Sequence, residues 1–260
     1  MKDILRKLLA HQWSLTFFGW LVRVTMKANS PSIGIGAPPY NYAQSFVEGN
    51  LPSLINVHPT HIRHIVIIGG YYAFEADHLL SLYPNATITI FEPSPRYWPR
   101  LSRRFANEPR VTLVNKAISD ADGTITLHQT NWEASDSILE LAPSNAFAGL
   151  RETDSVIVES VTLDSYLASV GAAGNVDLIW CDVQGAELHV LRGAKAALSR
   201  TACLFLEVQS WGMIYDGAAT LADITRFVSQ YGFVLCVLGL DVRTGMGNSI
   251  WIKKIDAPFG

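Results

Sequence analysis

The stretch Asp177-Leu-Ile-Trp-Cys-Asp-Val-Gln-Gly-Ala-Glu-Leu-His-Val-Leu-Arg-Gly-Ala194 decides the fold. Leu178 to Cys181 are apolar without alternation, the pattern of a strand covered on both faces. Asp182 falls at the carboxyl end of that strand, where open α/β sheets place their ligands. Gly185 permits a tight turn, and Glu187 starts a helix with Leu188, Leu191 and Ala194 spaced to face a sheet. A carboxylate at position 182 suits a cofactor hydroxyl, a metal ion or a substrate hydroxyl. It equally suits a plain helix cap.

Outward from this stretch, strands and helices alternate from residue 65. Ile65 to Ile68 is a short β-branched run followed by Gly69-Gly70. Phe74 to Leu82 reads as a helix, Ala86 to Phe91 as a strand, and Tyr97 to Asn107 as a helix with Leu101 and Phe105 inward. Val111 to Val114 is the next strand. Gly123 to Gln129 and Ser155 to Val161 alternate and pair, with residues 130–154 as a loop between them. Thr162 caps a helix carrying Tyr166 and Leu167, and Thr220 caps one running to Gln230, with Asp223 completing a capping box. Leu204 to Val208, Val234 to Leu238 and Ser249 to Ile252 are the last strands. Gly239 to Asn248 reads as a loop, so the final pair forms an antiparallel hairpin at one edge. The expectation is an α/β fold: a doubly wound, mostly parallel, seven-stranded Rossmann-like sheet with an antiparallel edge strand.

The chain divides into an N-terminal extension, residues 1–60, and an α/β domain, residues 61–260. Residues 4–26 are apolar and basic, with Ile4, Leu5, Leu8 and Leu9 at helical spacing. The apolar run is too short to span a bilayer and no convincing cleavage site follows it. It reads either as a helix packed on the body or on a second subunit of a homodimer, or as an interfacial helix making peripheral membrane contact. Residues 29–60, rich in Pro, Gly, Asn and Ser, read as an irregular arm or linker. His58, His61 and His64 are spaced by three, but nothing nearby completes a metal shell.

The 260 residues are 49% apolar and 17% charged, which gives a substantial core and excludes global disorder. The net charge of -3 gives no general attraction to nucleic acid. Five of the 20 Lys and Arg residues and one of the 23 acids fall in residues 1–30, so the body is acidic. A nucleic-acid partner is therefore not expected. Cys181, Cys203 and Cys236 each lie in a core strand, as small buried hydrophobes of a reducing, cytoplasmic compartment.

The signature also resembles that of the FkbM-type methyltransferases, which use S-adenosylmethionine to methylate hydroxyl groups. Their usual Asp-Val-Glu-Gly-Ala-Glu, followed by Leu-x-Gly-Ala, is matched with Gln184 in place of the first Glu. The resemblance spans residues 62–254 and includes Phe91-Glu-Pro-Ser-Pro95, Asn115-Lys-Ala-Ile-Ser119, Val161-Thr-Leu-Asp-Ser-Tyr-Leu167 and Leu206-Glu-Val208. The family's first loop is Asp-x-Gly-x-x-x-Gly; here Ile67 and Ala73 replace its outer residues.

Gly69 and Gly70 let the backbone approach a ligand at a helix N-terminus. The Gly-x-Gly-x-x-Gly fingerprint of dinucleotide enzymes is absent. Glu92 ends the second strand, 23 residues after Gly69, where an acid accepts both ribose hydroxyls; otherwise it is an exposed strand-end carboxylate. The resemblance implies that Ala117 and Ile118 wall the adenine ring, and it places Ser135-Asp136-Ser137 near the cofactor. Asp182 and Glu207, at the ends of neighbouring strands, can share a divalent cation such as Mg²⁺ that activates the acceptor hydroxyl, or one of them can act directly as base. Gln184 and Glu187 are placed to orient Asp182, and His189 is a weaker base candidate. Trp132, Trp211, Tyr215 and Tyr40 lie in loops, where they either stack on a sugar or pack back on the domain.

The expected function is S-adenosylmethionine-dependent O-methyl transfer to a sugar, glycolipid or secondary metabolite. The rivals are a catalytically impaired binding or scaffold protein of this fold and an enzyme with a nitrogen acceptor. If residues 4–26 rest on membrane, deleting residues 1–28 abolishes binding to anionic liposomes in a flotation assay. An intact chain that ignores such liposomes assigns the segment to protein packing instead.

Overall fold

The computed structural model describes residues 23–27 (backbone only), 59–143, 147, 149–172, 176–211, 214–241 and 244–254. In chain order the elements are β1 (Arg23–Lys27), β2 (His64–Ile68), α1 (Phe74–Leu82), β3 (Thr87–Phe91), α2 (Trp98–Arg104), β4 (Val111–Val114), β5 (Ala117–Ile118), β6 (Gly123–Thr130), β7 (Glu152–Val161), α3 (Leu163–Ser169), β8 (Leu178–Cys181), α4 (Glu187–Arg192), α5 (Lys195–Arg200), β9 (Cys203–Gln209), α6 (Leu221–Val228), β10 (Phe233–Asp241) and β11 (Met246–Lys253).

The main sheet runs β1-β10-β11-β9-β8-β2-β3-β4. β2, β3, β4, β8 and β9 are parallel. β11 is antiparallel to both neighbours and lies between β9 and β10. The expected hairpin is therefore present on that flank, with its antiparallel member one place inside the pair. Its strands run on to Asp241 and from Met246, so the connecting loop is shorter than the residues 239–248 read from the glycines.

The apolar runs that lacked alternation in sequence do alternate in space. Ile65, Ile67, Leu178, Trp180, Cys203 and Phe205 pack with α1 and α2 on one face. Val66, Ile68, Ile179, Cys181, Leu204 and Leu206 pack with α3, α4, α5 and α6 on the other. A period-2 backbone between two helical layers needs both faces apolar, which is why the strands read as continuous hydrophobic runs. The three cysteines are free and sit in β8, β9 and β10.

β1 joins the sheet as an eighth strand, parallel to β10. Arg23–Lys27 ends the segment read as helical, and its Val24 and Thr25 favour a strand once the open edge of β10 offers backbone partners. The sheet thus crosses the expected boundary at residue 60, and a cut after residue 22 is the one that spares β1. Of the rest of the extension, residues 1–22 and 28–58 lie outside the described residues. Among the described residues no helix is long and apolar enough to cross a membrane.

β6 and β7 pair antiparallel and, with β5, form a second, three-stranded sheet. It is joined to the body where α4 ends. A Cβ at Gly193 would fall 2.0 Å from the Ser119 carbonyl oxygen, which explains the glycine of the Gly-Ala helix end, where α4 stops and α5 follows. Both expected caps are made: Thr162 Oγ1 accepts from Ser165 N, and Thr220 with Asp223 forms the box. Gly193→Ala is expected to lower unfolding free energy by about 1–3 kcal/mol, the usual cost of overpacking. Urea denaturation measures it, and an unchanged midpoint would show that α4 does not press on Ser119 in solution.

Candidate active site

The parallel strands stop together and their ends are joined by backbone hydrogen bonds. Gly69 N and Gly70 N donate to Phe91 O, Asp182 N donates to Ile68 O, and Glu92 N donates to Val114 O. The site residues from β2, β3 and β8 therefore share one ledge. Gly69 has φ 83°, and a Cβ there would lie 1.8 Å from the Asp182 carbonyl oxygen. That contact sets how closely the first loop approaches the signature turn.

Glu92 is 5% exposed rather than an open strand-end carboxylate. Its two oxygens accept from Tyr71 N at 2.6 Å and Ser94 N at 2.7 Å. Burial raises its pKa to about 7 despite those two donors. Asn115 Nδ2 donates to Glu92 O, tying the end of β4 to that of β3. Ala117 and Ile118 reach the same end of the sheet, but their side chains are buried in two different clusters. Ser94 and Arg96 both donate to Asp136, which also accepts from Thr130 N. Asp136 thus fastens the loop after β6 to the Glu92 turn, and Ser137 Oγ donates to Gln184 O.

Asp182 and Glu207 meet as expected. They are half-buried, lie within hydrogen-bonding reach of one another, and are bridged by Gln184, whose Nε2 donates to Asp182 Oδ1 at 2.7 Å and Glu207 Oε2 at 3.2 Å. Burial raises both pKa values, and the facing Asp182 raises Glu207 well above the usual carboxylate range. Glu187 orients the turn and not the Asp182 side chain: its Oε1 accepts from Val183 N and Gly185 N. Burial lifts its pKa to about 7.

A cation does not fit between Asp182 and Glu207 as they stand. A hard divalent ion needs six or so oxygen ligands, and here an amide N–H₂ points into the gap. Among the described residues no group of three or more His, Cys, Asp or Glu side chains is placed to share an ion. His61 lies in a short turn and His64 is paired to Thr89 Oγ1, while His58 is outside the described residues. His189 pairs with Asp120.

The loop aromatics divide. Tyr215 is 1% exposed and is a scaffold residue, its hydroxyl lying 2.9 Å from Ser135 O and 3.2 Å from Gln184 Oε1. Trp211 packs on the core, Trp132 is 41% exposed, and Tyr40 is outside the described residues. Sequence reasoning missed the Tyr71–Glu92 and Tyr215–Gln184 links. They join residues 21 and 31 positions apart, so no local pattern marks them.

The profile of the FkbM methyltransferase domain matches residues 68–235. The chain belongs to the FkbM methyltransferase family. It is also 32% identical over 180 residues to the 2-O-methyltransferase NoeI of Sinorhizobium fredii, a match covering 65% of this chain and 72% of that one. Family and relative together make it an S-adenosylmethionine-dependent O-methyltransferase. Solved structures similar to it include Aeropyrum pernix fibrillarin with bound S-adenosylmethionine (TM-score 0.47, 11% identity, 82% of this chain and 75% of that one). Another is a precorrin-6y C5,15-methyltransferase of Geobacter metallireducens (TM-score 0.42, 13% identity, 78% and 88%). The strand order, not these likenesses, defines the fold.

The raised acids of this methyltransferase make its stability depend on pH in a definite direction. Glu92 and Glu187 keep their protons to about pH 7 when folded and lose them near pH 4.5 when unfolded. The unfolded state sheds protons first, so stability falls as pH rises from about 4.5 to about 7, by an order of ~3 kcal/mol per group. His64, whose pKa burial lowers, works the other way below pH 6.5 but is a single group. The urea midpoint is expected to be higher at pH 5 than at pH 8, and equal midpoints would mean that both glutamates are ionised in the folded chain.

Proposed function

We propose that this methyltransferase acts on a hydroxyl of a sugar, glycolipid or secondary metabolite, with Asp182 as the base. The observation that carries the reading is the Asp182–Glu207 pair at the ends of adjacent strands, beside the turn that Gly69 brings against it. Methyl transfer from a sulfonium is an in-line displacement. The donor is already reactive, so the protein aligns the acceptor oxygen and takes its proton.

In this reading S-adenosylmethionine lies across the ends of β2, β3 and β4. Gly69 and Gly70 allow its close approach, Glu92 accepts its ribose hydroxyls, and Ala117 and Ile118 border the adenine. Asp182, held by Gln184 and facing Glu207, receives the acceptor's proton. Trp132 offers an exposed ring face of the kind that stacks on a sugar, in the same loop as Glu133 and Ser135. The 2-O-methyltransferase relative supports a hydroxyl oxygen as the acceptor.

The backbone of the altered first loop is one that a glycine adopts freely, which weighs against an inert scaffold. Ala73 takes the left-handed conformation (φ 48°) that a glycine would adopt there. Ile67 is fully buried between β2 and the helices of one face, so the missing acid is replaced by core packing.

Calorimetric titration with S-adenosylhomocysteine is expected to give micromolar binding to the wild type and none to Glu92→Ala. With an acceptor found by screening hydroxyl compounds for homocysteine-nucleoside release, Asp182→Asn is expected to lose roughly a hundredfold or more in kcat while still binding the cofactor product. Wild-type protein that is folded yet binds no cofactor would remove the reading, and an Asp182→Asn enzyme with full kcat would remove the base.

A further inference from the structure

Gln184 stands where the family signature carries a glutamate, and both polar atoms of its side chain and its backbone carbonyl have partners. Its Nε2 uses both hydrogens, one on Asp182 and one on Glu207. Its Oε1 faces the Tyr215 hydroxyl, and its backbone carbonyl accepts from Ser137 Oγ at 2.8 Å. Its backbone is in the left-handed region at φ 58°, a conformation that is strained for a non-glycine residue. The turn accepts this strain and gains a side chain aimed into the gap between two acids.

That gap demands a positive or proton-bearing group. Two facing carboxyls in a partly buried cleft repel unless a cation, a proton or a neutral donor stands between them. Among the described residues no lysine, arginine or histidine forms an ion pair with either acid. The donors that remain are the Gln184 amide and a proton held on Glu207 toward Asp182. The reverse amide orientation would set its oxygen 2.7 Å from Asp182 Oδ1, three oxygens together with nothing to neutralise them. A glutamate at the same place would complete a three-acid oxygen cluster on one turn and the next strand, a donor set that invites a hard divalent ion.

We propose that Gln184 takes the place of a divalent cation in this enzyme: its carboxamide positions Asp182 and Glu207, so that methyl transfer here needs no metal. Gln184 is a positioning residue, since it acts through Asp182. The inference rests on the O-methyltransferase reading for what the acid pair does. What fills the gap is testable without any acceptor.

Mn²⁺ is the probe. Full-length wild type, Gln184→Glu and the double variant Gln184→Glu/Asp182→Asn are titrated with Mn²⁺ by calorimetry, after thermal unfolding confirms that each is folded. S-adenosylhomocysteine titrations run in parallel. Wild type is expected to bind no Mn²⁺ at this site and to bind S-adenosylhomocysteine equally with and without chelator. Gln184→Glu is expected to bind Mn²⁺ at least tenfold more tightly than wild type, the scale of effect seen when groups around a metal are changed. The double variant should lose that gain. Wild-type Mn²⁺ binding that Asp182→Asn removes overturns the proposal, as does a folded Gln184→Glu protein with no gain. Should Gln184→Glu not fold, the wild-type and Asp182→Asn titrations decide alone. Failure of wild type to bind S-adenosylhomocysteine would count against the methyltransferase reading, and the Mn²⁺ result would still stand.

Discussion

The pairing of β2 with β8 on one side and β3 on the other is the constraint on which the site depends. These parallel ladders are in register to their last residues, so Ile68, Phe91 and Cys181 end at one level. The backbone then turns outward at three adjacent places, and Gly69, Glu92 and Asp182 are the first residues past the sheet. Parallel strands leave their carboxyl-end turns on the same side, and helices cover both faces, so this edge is where a ligand can reach the backbone. Gly69 fixes the spacing between two of those turns, because any side chain there would enter the carbonyl of Asp182.

Past that ledge the site is built of acids kept in place by neutral donors. Glu92 is held by two backbone N–H groups, Glu187 by two more, and the Asp182–Glu207 pair by a carboxamide. Each donor costs less desolvation than a lysine or arginine, and none neutralises the charge. The acids therefore remain poorly satisfied as anions, and burial pushes their pKa values up. Such a cleft is complementary to a ligand that brings its own positive charge. A sulfonium cofactor does so, and its charge disappears on methyl transfer, which favours release of the neutral thioether product.

Much of this was legible in the chain. β8, its acidic turn and the helix beyond follow from an unbroken apolar run, Gly185 and the spacing of Leu188 and Leu191. The caps at Thr162 and Thr220 follow from side chains that must satisfy the first turn of a helix. Where the reading failed, the cause was tertiary. β1 forms because the edge of β10 offers partners, a fact absent from the local sequence. Tyr215 read as a loop aromatic that either stacks on a sugar or packs back on the domain, and the structure gives the second. Its ring is buried by Ala218 and Ile214, and its hydroxyl finds Gln184 across a gap in sequence that no periodicity spans.

The departures from the family pattern have different physical meanings. At Ile67 the chain exchanged a polar group for packing, and the fully buried side chain shows a loss of chemistry compensated by the core. At Ala73 the chain takes a conformation that favours glycine, accepting left-handed strain in a buried position. At Gln184 the strain is the same, but the side chain contributes contacts that a glutamate could make only with an added cation. Strain is retained where the surrounding structure over-determines it, and that condition is common at ligand sites. Among the described residues, two of the four left-handed non-glycine positions lie in the first loop and one in the signature turn. Ala73 and Gln184 therefore hold left-handed turns beside the ligand ledge, and at Gln184 the side chain adds the hydrogen-bond donors between the two acids.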